Sequence, residues 1–329
     1  MSNMPPEWSP HSATWMGYPS AAYDGCGVST EEAQQAWASV ANAISDHERL
    51  FMLCHPTQRK SAQKRLSSAI ELVDYSLNDA WLRDTGPTFI IDSNRLVGID
   101  WRFNGWGNNT QLEWQQDAGI ARFICEYLDC EVRSSTLTNE GGGLHVSGQD
   151  QVLLTQTVQL DPRRNPNWSQ ADVESEIHAL LGTERAIWLE RGLYRDYEDN
   201  GTRGHVDIVA CFTPNGDVLF HEQTQEQHPD HINCRELRAQ LADAGLNVVP
   251  IAAPKVLRDN YDWVDYSYLN HYVLNGAVIV PTFDDPNDDP ALERLVEVYP
   301  DRAVRGIDAR VIFAMGGGVH CITQQQPLV

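Results

Sequence analysis

Two stretches of this chain share their wording: Asn139-Glu140-Gly141-Gly142-Gly143-Leu144-His145-Val146 and Ala314-Met315-Gly316-Gly317-Gly318-Val319-His320-Cys321. Three glycines in a row lose much backbone freedom on folding. A folded chain holds them where positive φ angles are required, or where its backbone must pass close to another segment or a ligand. The apolar run from Ala309 to Ala314 reads as a strand leading into the second triplet, and Cys321 then opens a short β-prone segment. A thiol just beyond such a bend either packs as a small buried hydrophobe or stands at the mouth of a pocket. The rest of the chain has to decide between these.

Working outward from the two stretches, a repeat emerges. Paired apolar runs flank the turns Asp92-Ser93-Asn94, Ser147-Gly148-Gln149-Asp150, Pro214-Asn215-Gly216-Asp217 and Asn275-Gly276, the last being a strong hairpin signal. A fifth pair begins at His320. The markers Asp84, His145, His205, Tyr266 and His320 are spaced by 61, 60, 61 and 54 residues. Helical patterns lie between the hairpins, at 115–128, 170–181, 234–244 and 289–299. Near the start, residues 30–47 read as a helix capped by Ser29-Thr30-Glu31-Glu32, with Ala33, Ala36, Trp37, Val40, Ala41 and Ile44 on one face. A strand at 49–54 and a second helix at 58–72 follow, with a further strand running into Asp84. A period near 60 residues marks a repeat architecture. The expectation is one α/β domain over residues 1–329, five ββαβ-type units closed into a ring. The Pro-containing stretch from Asp161 to Trp168 reads as a loop within it.

Composition narrows the function. The chain of 329 residues carries 46 acidic and 24 basic side chains, a net charge of -22, and only three lysines, Lys60, Lys64 and Lys255. Such a surface repels nucleic acid and anionic membranes, and attracts small cations; it also serves solubility alone. No apolar run is long enough to span a membrane, and Met1 to Pro10 lacks the pattern of a signal peptide. Seven scattered cysteines without a C-x-x-C pair point to a reducing, cytoplasmic setting.

The candidate chemistry sits where the hairpins begin. Asp84 precedes Thr85-Gly86-Pro87, Glu140 precedes the first glycine triplet, and His205 and Asp207 stand two apart at what reads as a strand start, hence on one face. Each has a plain reading: a turn cap for Asp84, a solvated charge for Glu140, a core histidine for His205. Arg203 is the one cation near Asp207 in sequence. Zinc or iron binding is a possible use of one Cys, one His and three carboxylates. Against it, there is no H-E-x-x-H and no C-x-x-C; a G-x-S-x-G elbow and a G-x-G-x-x-G turn are missing too. Cys with His suits nucleophilic catalysis. Several carboxylates beside a nucleophile suit a cationic substrate, and a guanidinium pairs with carboxylates in a bidentate way.

Residues 81–89 (WLRDTGPTF), 103–107 (FNGWG), 140–146 (EGGGLHV), 204–212 (GHVDIVACF), 283–292 (FDDPNDDPAL) and 316–327 (GGGVHCITQQQP) resemble the agmatine deiminases and their relatives, the bacterial-type peptidyl-arginine deiminases. The resemblance runs from about Trp15 to Pro327. It implies the pentein fold, a five-bladed α/β propeller. It also implies hydrolysis of a guanidine to a ureide and ammonia, without metal or organic cofactor. By the same resemblance Cys321 is the nucleophile, His205 the general acid/base, Asp84 and Asp207 the guanidinium clamp, and Glu140 a further active-site acid. Trp81 and Trp106 match aromatic positions near the substrate, and a homo-oligomer is a family expectation. The chain departs from the pattern at Met16-Gly17-Tyr18-Pro19-Ser20, at Ile208-Val209-Ala210 and at Gly107-Asn108-Asn109. The departures bear on the far end of the substrate, where a carboxylate would call for a cation such as Arg195, Arg203 or Arg258. Alternatives are an arginine deiminase or amidinotransferase of the same fold and, in a different class, a non-catalytic binding or metal-binding pentein.

Overall fold

The computed structural model describes residues 2–20, 26–109, 113–260 and 262–329. The chain forms five small mixed sheets with helices between their strands. Three have the same three-stranded plan, an antiparallel hairpin followed by a helix and a parallel strand. They are Leu144–Val146, Gln151–Thr155 and Arg185–Leu189; Ala210–Phe212, Val218–Glu222 and Val248–Ala252; and Tyr272–Leu274, Ala277–Thr282 and Ala303–Asp308. A fourth sheet repeats that plan with Thr88–Asp92, Arg95–Arg102 and Glu131–Thr138, and adds Ser2–Asn3 at its edge. In the fifth, the antiparallel pair joins Thr323–Pro327 to His11–Gly17, with Leu50–Cys54 and Glu71–Asp74 added in parallel. The hairpin-helix-strand repeat is therefore present five times, and the fifth copy is assembled from residues near both ends of the sequence.

Local signals explain the elements. Ser29 and Glu32 form a reciprocal capping box on the helix Thr30–Ser45, whose buried side includes Ala33, Trp37, Val40, Ala41 and Ile44. The helix Gln170–Leu181 has the same box from Ser169 and Asp172, and ends on Gly182 at φ 71°. Gly276, also at φ 71°, turns the hairpin between Leu274 and Ala277. Beside it Asn275 Nδ2 donates to the His11 carbonyl at 2.9 Å, tying two sheets together. The largest side chains buried by this arrangement are Trp15, Trp37, Tyr18 and Tyr268. Among the described residues, no helix is long and apolar enough to cross a membrane.

Four expectations are corrected. The run before the second glycine triplet is a helix, Arg310–Ala314, whose period places Ile312 and Phe313 in the core. The second helix is shorter than its pattern and ends at Arg65. Asp84 belongs to a helical turn, Leu82–Thr85, and the strand starts only at Thr88, after Pro87, which has no N–H to give a sheet. His205 leads into a tight turn, Val206–Ile208, and the strand begins at Ala210. The residues that matter thus sit in turns just before strands, where backbone leaves the sheet and side chains are aimed by local hydrogen bonds.

Candidate active site

Five tight segments converge. The turn Leu82–Thr85 supplies Arg83 and Asp84, and the first glycine triplet supplies Glu140 and an open floor. The turn at 205–208 supplies His205 and Asp207. Asn270 precedes a hairpin, and the second triplet is followed by His320 and Cys321. The backbone stitches them: Arg83 N–H donates to the Cys321 carbonyl at 3.1 Å, and His320 N–H donates to the Asn270 carbonyl at the same distance. Gly142 N–H donates to Asp84 Oδ1 at 3.0 Å.

Gly142 is the pivot of this packing. A Cβ there would lie 2.5 Å from His205 Nδ1, 2.9 Å from Asp84 Oδ1 and 3.0 Å from Asp207 Oδ2. A bare backbone at this point lets three ionisable groups close on one small space. Around it, Trp106 Nε1 donates to Asp84 Oδ2 at 2.8 Å. His205 Nε2 contacts Glu140 Oε2 at 3.2 Å, and its Nδ1 lies 3.8 Å from Asp84 Oδ1. His205 Nδ1 and Asp207 Oδ1 are buried without a hydrogen-bond partner among the described residues. Orphaned buried polar atoms are costly, so two of them on residues that meet over Gly142 mark the cluster as built for a guest. Cys321 Sγ lies 3.6 Å from Asp207 Oδ2 and accepts from Asn270 Nδ2 at 3.3 Å. A small pocket reaches the sulfur, lined by Trp81, Asp84, Trp106, Asn200, Thr202, Met315 and Gly316.

The electrostatics follow from burial. Burial pushes the Cys321 thiol well above its ordinary value, and Asp207 and Asp84 push it further. Burial alone would lower His205, but Asp84, Glu140 and Asp207 outweigh it and raise it to about 9. Burial raises Asp84, and Asp207 and Glu140 add to that. Glu140 is held low against its burial by Arg164 and His205. At neutral pH the site therefore holds a neutral thiol beside an imidazolium.

The chain as a whole is similar to known proteins. Residues 3–327 match the family model described as Porphyromonas-type peptidyl-arginine deiminase. A Streptomyces coelicolor relative is 48% identical over 98% of each chain. The agmatine deiminase of Pseudomonas aeruginosa is 36% identical, over 98% of this chain and 95% of its own. The solved agmatine deiminase of Enterococcus faecalis superposes with a TM-score of 0.92 at 30% identity, over 99% of this chain and 96% of its own. The chain belongs to the Porphyromonas-type peptidyl-arginine deiminase family.

Set beside that family, the structure brings Cys321, His205, Asp207, Asp84 and Glu140 into one cluster, with Trp81 and Trp106 at its pocket. It also shows what sequence reading missed. Arg164 lies in the stretch read only as a loop; its Nε donates to both Glu140 oxygens, at 3.0 and 3.1 Å. Arg203 does not serve Asp207 but pairs with Asp161 at 2.9 Å, while His320 Nδ1 meets Asp207 at 2.8 Å. Asp196 anchors the approach to His205 through the N–H groups of Thr202, Gly204 and His205. Asn270 carried no motif at all. Arg195 pairs with Asp259 at 2.6 Å, and Arg258 stacks 3.9 Å over Trp263, so all three arginines suggested for a substrate carboxylate have other partners. Asn109, one of the departures, bridges two loops by donating to the carbonyls of Glu198 and Gly201 at 3.0 and 2.7 Å. Among the described residues, no three His, Cys, Asp or Glu side chains are placed to hold a metal ion.

Proposed function

We propose that this chain hydrolyses agmatine to N-carbamoylputrescine and ammonia through a covalent intermediate on Cys321. In this reading residues 1–329 are one domain, the five sheets are the blades of a pentein propeller, and the protein works in the cytoplasm. The observation that carries the reading is the cluster over Gly142, where His205 Nδ1 and Asp207 Oδ2 meet, with Asp207 Oδ1 buried unpaired and the Cys321 thiol 3.6 Å from Oδ2. A planar guanidinium, which only donates, answers the unpaired Asp207 oxygen. It donates to Asp84 and Asp207 and brings a positive charge to a thiol that burial keeps neutral.

The chemistry then balances with side chains alone. The bound cation favours the thiolate, so Cys321 releases its proton to solvent as the substrate binds, and the thiolate attacks the guanidine carbon and forms the S–C bond. His205, an imidazolium at neutral pH, gives its proton to one amino group of the tetrahedral adduct. The C–N bond breaks, ammonia leaves and a thiouronium remains. Neutral His205 takes a proton from water, hydroxide adds to the carbon, and the C–S bond breaks to return the thiolate. The protonated urea loses its proton, so guanidinium and water become urea and ammonium. Glu140 touches His205, which makes it the residue that orients the acid/base in this reading. The arginines paired elsewhere favour a substrate whose far end is an amine over one with a carboxylate.

The test compares ammonia release from agmatine, arginine and a C-terminal-arginine peptide, with Cys321→Ala as control. Release from agmatine alone, lost in the variant, supports the reading. Release mainly from arginine or the peptide replaces the substrate, and amine-dependent turnover would make the protein a transferase.

A further inference from the structure

The histidines that close the two matched stretches, His145 and His320, face the same enclosed chamber behind Asp207. Glu7, Trp8, Cys211, Leu269, His271 and Tyr299 complete its lining. The steps above use none of these side chains. His320 is set apart by its neighbours: Nδ1 is 2.8 Å from Asp207 Oδ2, and Nε2 is 3.1 Å from Glu7 Oε1. If both acceptors are carboxylates, both ring nitrogens must donate, which only the imidazolium does. Glu7 in turn accepts from Arg83 Nη2 at 2.8 Å, and Arg83 Nη1 donates to Gln325 at 2.6 Å. The row reads carboxylate, imidazolium, carboxylate, guanidinium, all buried.

We propose that Glu7 is a positioning residue of the active site: it holds His320 as the imidazolium that fixes Asp207 Oδ2, leaving Oδ1 open to the guanidinium and compensating the carboxylate that faces the Cys321 thiol. The proposal takes its substrate from the deiminase reading above.

The groups facing His320 are Asp207, Glu7, Arg83, His145 and His271. Burial and Arg83 disfavour its charge, but Glu7 and Asp207 outweigh them and its value is raised. Burial lowers His145 to about 3 and His271 to about 4, so of the three only His320 has surroundings that favour the imidazolium. Losing the Glu7 charge would lower His320. Neutral His320 would leave Asp207 uncompensated, and the thiol, 3.6 Å away, would ionise less readily.

The test is the pH dependence of Cys321 alkylation by iodoacetamide, read at the Cys321 peptide and needing no guanidine. Below the lowered His320 value of Glu7→Gln, both proteins keep the imidazolium and their rates are similar. As pH rises through that value the variant falls behind, at least tenfold by pH 8, and the gap closes once wild-type His320 also deprotonates. With agmatine, kcat falls over the same window while KM does not rise. Glu7→Asp, which retains the charge, recovers part of the rate and serves if Glu7→Gln does not fold. A rate ratio of one, or a ratio independent of pH, overturns the proposal. So do 15N-histidine spectra of the wild-type protein in which His320 is neutral at pH 7. A pH-dependent alkylation gap in a protein that releases no ammonia would retain the relay and sink the deiminase reading.

Discussion

The two glycine triplets have the same letters and different neighbours. Gly141–Gly143 forms a tight turn whose middle residue lies under Asp84, Asp207 and His205, so its lack of a side chain lets these ionisable groups close on one another. In the second, Gly316 takes φ 104°, a Cβ on Gly317 would strike the Trp81 ring at 2.6 Å, and one on Gly318 would meet Asn270 Oδ1 at 2.3 Å. There the missing side chains let the pocket wall and the thiol's partner pack in. The difference continues into the histidines that follow: His145 accepts a backbone N–H from Phe212 and stays neutral, while His320 lies between two carboxylates. A repeat thus supplies one sequence pattern twice, and the neighbours of each copy decide its chemistry.

Removing the proposed nucleophile breaks the comparison most sharply. Cys321→Ala is expected to cut ammonia release about 10^4-fold or more while circular dichroism shows the fold kept. Gly142→Ala comes next. Its methyl group displaces His205 or a carboxylate by a fraction of an ångström to an ångström, so kcat/KM is expected to fall about 100-fold. Gly317→Ala displaces one ring edge and should cost about tenfold, mostly in KM. Equal losses in the two glycine variants would erase the distinction between the triplets.

A smaller effect concerns pH and stability. His205 is raised from 6.5 to about 9 in the fold, so its stabilising contribution is complete below about 6.5 and is lost as pH rises through about 9. Urea unfolding of wild type and His205→Gln at pH 6, 7.5 and 9 should show their difference changing in favour of the variant as pH rises. A difference constant with pH would remove the imidazolium from this account. The smallest effect is expected at His145. His145→Gln retains an acceptor for Phe212, and should change kcat less than about threefold and cost about 1 kcal/mol in unfolding free energy. A loss as large as that of Glu7→Gln would mean the two histidines are equivalent after all.

Much of this was legible in the residues. Hairpin turns such as Asn275-Gly276 and caps such as Ser29 with Glu32 are short-range signals, and the structure uses both. The matched triplets pointed to Cys321 and Glu140 because glycine runs are rare and need a cause. What stayed hidden was long-range. Glu7 and His320, or Asn270 and Cys321, are joined by folding alone, and no spacing encodes their meeting. Arg164 was overlooked because its stretch reads as a turn, though its guanidinium is what keeps Glu140 ionised in the interior. The strand expected at His205 failed because the period of two cannot reveal a tight turn of three residues before it begins.

The pairing of Thr323–Pro327 with His11–Gly17 carries a consequence for how the molecule comes into being. On the ribosome, the strand His11–Gly17 emerges long before the strand Thr323–Pro327 that it pairs with. Cys321 lies two residues before that late partner. A growing chain therefore acquires Cys321, the nucleophile of the proposed reading, together with the strand that completes this pairing.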